Sequence, residues 1–428
     1  MRAHRAIRGA IAGLLLLAAG ASSSSQPYSR SSAGPERNLL SPPQPADQHG
    51  QKKKSSASQQ GQEALRDDLD LTIQDLITRY HIPSLTVGLL DNGKIALVKA
   101  YGHDPLYTYG QNNSSNPYLL GAVSQVFTGY AILVLQARGR LSLNDPLSKY
   151  LPGAPQAWRS VTIEQLLTHQ SGLPEFPTDA KSFSGALLEA AAKPMRFPPG
   201  KARFNSYSDF DILGNIIEVV TGQSFFKFLD SSVSKNLKLS VTGDPLLLTF
   251  RYAQPEDLRT TGVPNLTRDT TGVAAGTLSG RRSDSDARLD TVRLMTRGIP
   301  DYSIPSKGIV SNSRDLLRLA SVISSGSLPG IPDDRGYMKL APGWLECRSG
   351  DEVLLTAHGI SGGGFLAIFD VIPAEKTGLV LLAKLEPGSE IFDLSAENQE
   401  ILDKVLAFPV ADMTCSGQPA SDDSSPDN

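Results

Sequence analysis

Serine followed three residues later by lysine is a pairing that can make a nucleophile, because on a helix the two share a face and the amine can take the hydroxyl proton. The sequence offers that spacing at Ser232-Val233-Ser234-Lys235. Its context argues against chemistry, since it follows a helical run stopped at Gly222 and sits in a stretch rich in Ser and Lys. Side chains of the types that move protons occur at Tyr207, Asp209 and His358. His81 and His103 have no ligand partner at metal spacing, so neither a metal nor another cofactor is expected. His169, inside Thr-His-Gln-Ser-Gly, reads as a packing or turn residue.

The elements that must position these groups are legible in outline. Leu65, Leu69, Ile73, Leu76, Ile77 and Tyr80 recur at helical spacing. Leu85–Leu90 and Ile95–Ala100 flank Asp91-Asn92-Gly93-Lys94, and Asn-Gly tolerates the positive φ of a hairpin turn. Gly121–Arg138 is apolar nearly all round, as a buried helix should be, and Gly139 ends it. Thr162 and Gln165 fit a capping box. Phe210, Leu213, Ile217 and Val220 line a further helix, and Ser313 is a candidate cap for one over Leu316–Ile323. Val353–Thr356, Phe365–Phe369 and Leu379–Ala383 read as strands, followed by a closing helix near Ala396–Leu406. Strands at both ends with helices between predict an α/β (α+β) fold. Its mixed antiparallel sheet would be built from both chain ends and backed by a helical subdomain.

Five segments in this frame carry a resemblance. "YLLGAVSQVFTGYAILVLQARGRLSLNDPLSKYLP", "VTIEQLLTHQSGLP", "FNSYSDFDILGNIIEVVTGQSF", "SKGIVSNSRDLLRLA" and "AHGISGGGFLAIFDVIPAEKTGLVLLAKLEP" resemble, in order, the motif segments of the serine β-lactamases and penicillin-binding proteins. The last is most similar to the class C type and its esterase and peptidase relatives. The resemblance covers roughly residues 62–410 and implies a β-lactamase/transpeptidase-like fold. It also implies a nucleophilic serine with a lysine three residues on, a Tyr-x-Asn element, and a Lys-Thr-Gly or His-x-Gly strand holding the substrate carboxylate.

The chain departs from that set. Ala122 stands at the nucleophile position and Gln125 at the lysine position, and a neutral amide cannot serve as a general base. The resemblance assigns Tyr207 as the retained tyrosine, with Asp209 in place of the asparagine. On the strand motif it places His358, Gly359 and Ile360, followed by Ser361, whose backbone N–H would complete an oxyanion hole. A pocket with two positive charges would become one with a single negative charge, repelling a substrate carboxylate. Lys376-Thr377-Gly378 matches the strand motif in letters but falls at a turn. Ser124, two residues from Ala122, is rotated by roughly 200° away from the pocket and is expected to bond within the protein.

The remaining features concern address and partners. The chain has 428 residues, 40% hydrophobic and 20% charged, with a formal net charge of -3, which argues against nucleic acid as a partner. Arg2, Arg5 and Arg8 precede an apolar run from Ala10 to Ala19 and a small-residue cleavage site, so residues 1–21 read as a secretory signal peptide. The run falls short of the roughly 20 apolar residues a spanning helix needs, and no transmembrane segment is expected after cleavage. Residues 22–61, with Lys52-Lys53-Lys54, read as a flexible linker and 411–428 as a disordered tail. Cys347 and Cys415 are a candidate disulfide in an exported protein, the alternative being two unpaired thiols.

These observations predict an exported, periplasmic or extracellular member of a serine-hydrolase family, inactive by serine acylation. It would bind a small-molecule or peptide ligand in the old cleft, or act as a scaffold. One alternative is a hydrolase of esters, amides or D-amino-acid peptides using Tyr207, Asp209 and His358 on water. The other is a purely structural envelope protein with a filled pocket.

Overall fold

The computed structural model describes residues 69–103, 112–240, 299–326, 328–331, 340–361, 364–385 and 413–415. The expected signal peptide, linker and closing helix lie outside these residues, as does the expected disordered tail except for residues 413–415, of which Thr414–Cys415 form a strand. The chain divides into two units, residues 1–79 with 394–411 and residues 80–393 with 412–428. In the first, helix α1 (residues 69–80, the last of which belongs to the second unit) buries Leu69, Ile73 and Leu76, one stripe at helical spacing.

The second unit is organised by a seven-stranded sheet. Its strands are β1 (Ser84–Asp91), β2 (Lys94–Gly102), β5 (Leu345–Ser349), β6 (Glu352–Ser361), β7 (Phe365–Ile372), β8 (Thr377–Lys384) and β9 (Thr414–Cys415), in the order β2-β1-β8-β7-β6-β5-β9. Every pairing is antiparallel. The sheet is built from both chain ends, because β1 from the start pairs with β8 from the end. Asn92 and Gly93 take φ of 49° and 74°, the conformation that the hairpin reading requires. A two-stranded sheet joins β3 (Tyr118–Leu119) to β4 (Val310–Ser311). The disulfide Cys347–Cys415 ties β9 to β5.

The helices that matter to the site follow from local signals. A 3-10 turn at Gly121–Val123 leads into α2 (Ser124–Ala137), buried from Ser124 through Leu135. The capping box at Thr162 and Gln165 opens α3 (Ile163–Leu167), with both reciprocal hydrogen bonds present. α4 (Phe183–Ala191) and α5 (Tyr207–Thr221) follow, and Gly222 ends α5 at φ 68°. After α6 (Phe225–Leu229) and the short α7 (Ile304–Lys307), α8 (Ser313–Ser325) lies across β1. Gly88 on β1 admits it, since a Cβ there would stand 2.3 Å from Ser313 Oγ. The α8 cap corrects the sequence reading. Asn312, not Ser313, accepts from the Asp315 N–H at 2.8 Å, because Ser313 is already the first helical residue.

One close approach sets the position of the turn before α2. A Cβ on Gly359 of β6 would stand 1.9 Å from Leu120 O, and one on Gly121 would stand 2.9 Å from Gly359 C. Backbone meets backbone there with no room for a side chain. Gly359→Ala should therefore destabilise the fold by roughly 2–4 kcal/mol, read as a drop in the denaturation midpoint. A variant as stable as the parent would show that β6 can move away from the turn.

Candidate functional site

Ala122 and Gln125 open onto a chamber of about 150 Å³, whose wall also includes His169, Arg203, Asn205 and His358. The 3-10 turn presents Ala122 and the first turn of α2 presents Gln125. β6 supplies His358, and the loops after α3 and before α5 supply His169, Arg203 and Asn205.

The polar groups behind the chamber form a chain of neutral partners. The Ser206 backbone N–H donates to His169 Nδ1 at 3.1 Å. Neutral imidazole then carries its hydrogen on Nε2, which faces Gln125 Oε1 at 3.2 Å and donates to it. Gln125 Nε2 is left buried with no hydrogen-bond partner. Burial pushes the His169 pKa down to about 3, and the Arg203 guanidinium adds to the effect. Burial likewise pushes the Asp209 carboxyl well above the usual range, partly offset by the Ser171 hydroxyl donating at 2.5 Å. Glu175 and Asp211 raise it further. With His169 neutral, its 3.5 Å approach through Nδ1 to Asp209 Oδ2 is not an ion pair.

Arg203 supplies the chamber's positive charge. Its Nη2 donates to Trp344 O at 2.8 Å, and although burial lowers its pKa the guanidinium stays cationic. Asp209 is fully buried and lines neither this chamber nor its neighbour, so it adds no negative charge to the wall. Arg203 puts into that wall a guanidinium that the tally along the motifs did not include, with the Glu346 carboxylate near enough to stabilise its charge.

The expected trio is also dispersed. His358 lines the Ala122 chamber, with Nε2 2.9 Å from Thr356 Oγ1 and 3.8 Å from Asp370 Oδ1. Tyr207 lines a neighbouring cavity of about 310 Å³, and Asn205, two residues earlier, lines both this and the Ala122 chamber. Burial followed by the Glu175 charge raises the Tyr207 pKa, which keeps it as the neutral phenol at neutral pH and leaves little phenolate to act as a base. Tyr207 and His358 thus line different chambers and Asp209 lines neither of the two, so neither chamber gathers the trio around one water.

Gly359 is pressed against the Leu120 carbonyl, Ile360 is half-exposed, and Ser361 is buried with its Oγ unpartnered. Ser124 Oγ accepts the Ile309 N–H at 3.0 Å inside the core, the structural bond expected of it. Ser232 Oγ accepts from Arg138 at 3.0 Å while Lys235 pairs with Asp230 on the surface, so that Ser-x-x-Lys spacing makes no nucleophile. Lys376 closes the β7–β8 turn at φ 52° and its carbonyl accepts from Gly93 N–H. Among the described residues, no group of three or more His, Cys, Asp or Glu is placed to hold a metal ion, and no helix is long and apolar enough to cross a membrane.

His169, Arg203 and Asn205 were not singled out as site residues by the sequence. The one local hint is conformational: His169 sits at φ 59°, an uncommon state for a residue with a Cβ.

Comparison with known proteins adds the family. Residues 69–402 match the model of the family described as Beta-lactamase. "Protein flp" of Staphylococcus aureus (strain COL) is 30% identical over 185 residues, covering 41% of this chain and 37% of that protein. The "Teichoic acid D-alanine hydrolase" of Staphylococcus aureus is 29% identical over 162 residues, covering 37% of this chain and 40% of that protein. The chain thus spans about two fifths of the length of these curated relatives. Among solved structures, the D-alanine carboxypeptidase AmpC from Burkholderia cenocepacia superimposes with a TM-score of 0.56 at 19% identity, over 81% of this chain and 99% of that one. A mutant class C β-lactamase gives 0.57 at 18% identity, over 81% and 98%.

The buried neutral His169 has a consequence for stability. Its folded pKa is depressed, so the unfolded state takes up a proton that the folded state refuses as pH falls from about 6.5 towards 3. The natural chain should therefore lose ~1.4 kcal/mol more per pH unit across that window than His169→Gln does. Parallel pH–stability curves for the two proteins would show that His169 protonates in place.

Proposed function

We propose that this chain, which belongs to the β-lactamase family, is a catalytically silent member exported to the cell envelope, where its Ala122 chamber binds a ligand with a free carboxylate. The observation that carries this reading is the composition of the chamber wall. Attack on a carbonyl needs an oxygen nucleophile and a base to unload it. At these two positions the wall offers the methyl of Ala122 and the amide of Gln125, with the amide oxygen engaged by His169. Losing such a pair costs on the order of 10⁶ in turnover in a hydrolase that depends on it.

The same wall remains suited to binding. Arg203 can meet a carboxylate, Gln125 Nε2 is a buried donor in want of an acceptor, and Asn205 and His358 add polar contacts. The printed names of one relative and one structural neighbour concern D-alanine, which makes a terminal D-alanine residue with its free carboxylate the ligand class to try first. The charged head and apolar run of residues 1–21, and the disulfide at Cys347 and Cys415, support export to an oxidising compartment.

Intact mass after incubation with a serine-reactive phosphonate, and separately with a penicillin, tests the silent site. The natural chain should show no adduct while folded, and the Ala122→Ser, Gln125→Lys double variant should gain one. A stoichiometric adduct on the natural chain would mean that another serine is activated, and the reading would fall.

A further inference from the structure

The larger cavity, about 310 Å³, is a second chamber for which the Ala122 site gives no account. Asn205 is a wall common to both, but the chemistry differs. Here the polar groups are Glu175 and Asp211. Glu175 Oε2 accepts from the Ser208 N–H and hydroxyl at 3.3 and 3.0 Å, while its Oε1 is buried with no hydrogen-bond partner. Asp211 is 2% exposed, its Oδ2 accepts from the Ser303 hydroxyl at 3.2 Å, and its Oδ1 is also buried without a partner. Phe176, Tyr207 and Tyr302 bring aromatic rings to the same space. The Lys307 ammonium stands over the Tyr207 ring at 5.5 Å and satisfies neither open oxygen.

Two buried acceptors without donors are costly to keep, at roughly 1–3 kcal/mol each. What they require is a group that donates several hydrogen bonds and accepts none, carries positive charge, and tolerates aromatic faces. A primary ammonium has those properties, and rings within about 6 Å add a cation–π attraction. We propose that this cavity is a binding site for a primary ammonium group on a small organic ligand, its N–H bonds completing Glu175 Oε1 and Asp211 Oδ1. The site needs nothing from Ala122 or Gln125, so it stands whether or not the neighbouring chamber proves silent.

Protonation of Asp211 modulates the site. Burial lifts its pKa to about 7; the nearby Ser306 hydroxyl, whose own hydrogen goes to the Ser303 carbonyl, the Lys307 charge and the Ser303 bond pull it down, and Glu175 lifts it further. Asp209, Tyr207 and Tyr302, with Asp179 and Glu189 acting on Tyr302, are further titratable groups of this neighbourhood. Above pH 7 the Asp211 carboxylate accepts from the ligand; below it the protonated acid loses that attraction.

Calorimetric titration of the full natural chain with 2-phenylethylammonium at pH 8 tests the proposal, with 2-phenylethanol as the neutral isostere and 3-phenylpropanoate as the anion. The ammonium should bind saturably at one site, at least about tenfold tighter than the alcohol, and roughly tenfold more weakly at pH 5.5. Glu175→Gln and Asp211→Asn should each weaken it about tenfold. Glu175 is the less buried of the two, so its variant provides the test if Asp211→Asn fails to fold. Equal binding of the alcohol, equal binding by a folded Glu175→Gln, or no saturation by about 10 mM ammonium would each overturn the assignment and leave an ordinary hydrated cavity.

Discussion

The backbone of β6 runs against the turn before α2 with no side chain between them, and the candidate site takes its dimensions from that approach. Gly359 cannot carry a Cβ because Leu120 O occupies its place, and Gly121 holds φ 53° to let the turn fit. The contact brings Ala122 and His358 to one chamber although 236 residues separate them in sequence order. It depends in turn on α2 being buried almost throughout, so that the turn has no freedom to retreat. A fold held this way does not depend on a serine hydroxyl or a lysine amine at positions 122 and 125, since neither would take part in the contact.

The groups behind the chamber form one arrangement around Gln125. Gln125 gives His169 Nε2 an acceptor, His169 Nδ1 receives the Ser206 N–H, and Asp209 rests beside them bonded to Ser171, its carboxyl pKa raised by burial. A lysine at position 125 would place an ammonium among Arg203, neutral His169 and the buried Asp209. The nearest group able to balance it would be the Asp209 carboxylate. The amide at Gln125 and the high Asp209 pKa are therefore consistent parts of one arrangement rather than two separate departures.

How far the sequence revealed this depends on the range of each determinant. The Asn92-Gly93 hairpin, the Thr162–Gln165 capping box and the Gly222 stop are decided within a few residues, and each is present as read. The pairing of β1 with β8 followed from strands at both ends needing one sheet. Arg203 was invisible as a site residue because its place is set by the Trp344 carbonyl, 141 positions away, which no local pattern records. The charge tally along the motifs missed Arg203 for the same reason, and it took Asp209 as exposed, whereas packing buries it away from the chamber and raises its pKa. Tyr207 and Asn205 lie two residues apart at the entry to α5, and only the direction of the chain there decides which of them faces Ala122. β5 escaped notice because five residues with one buried side chain, Cys347, leave little hydrophobic alternation to detect.

A purely structural role sits poorly with the two chambers. On the silent-site reading, a chain selected only to fold gains by filling its cavities with apolar side chains and by removing polar groups that lack partners. This one keeps open spaces of about 150 and 310 Å³. It also keeps Gln125 Nε2, Glu175 Oε1 and Asp211 Oδ1 buried beside them without a protein partner. The donor lies in the chamber with Arg203 and the acceptors lie in the chamber with the aromatic rings, so the two are complementary to groups of opposite charge. That division is what a binding surface requires and what a core has no use for.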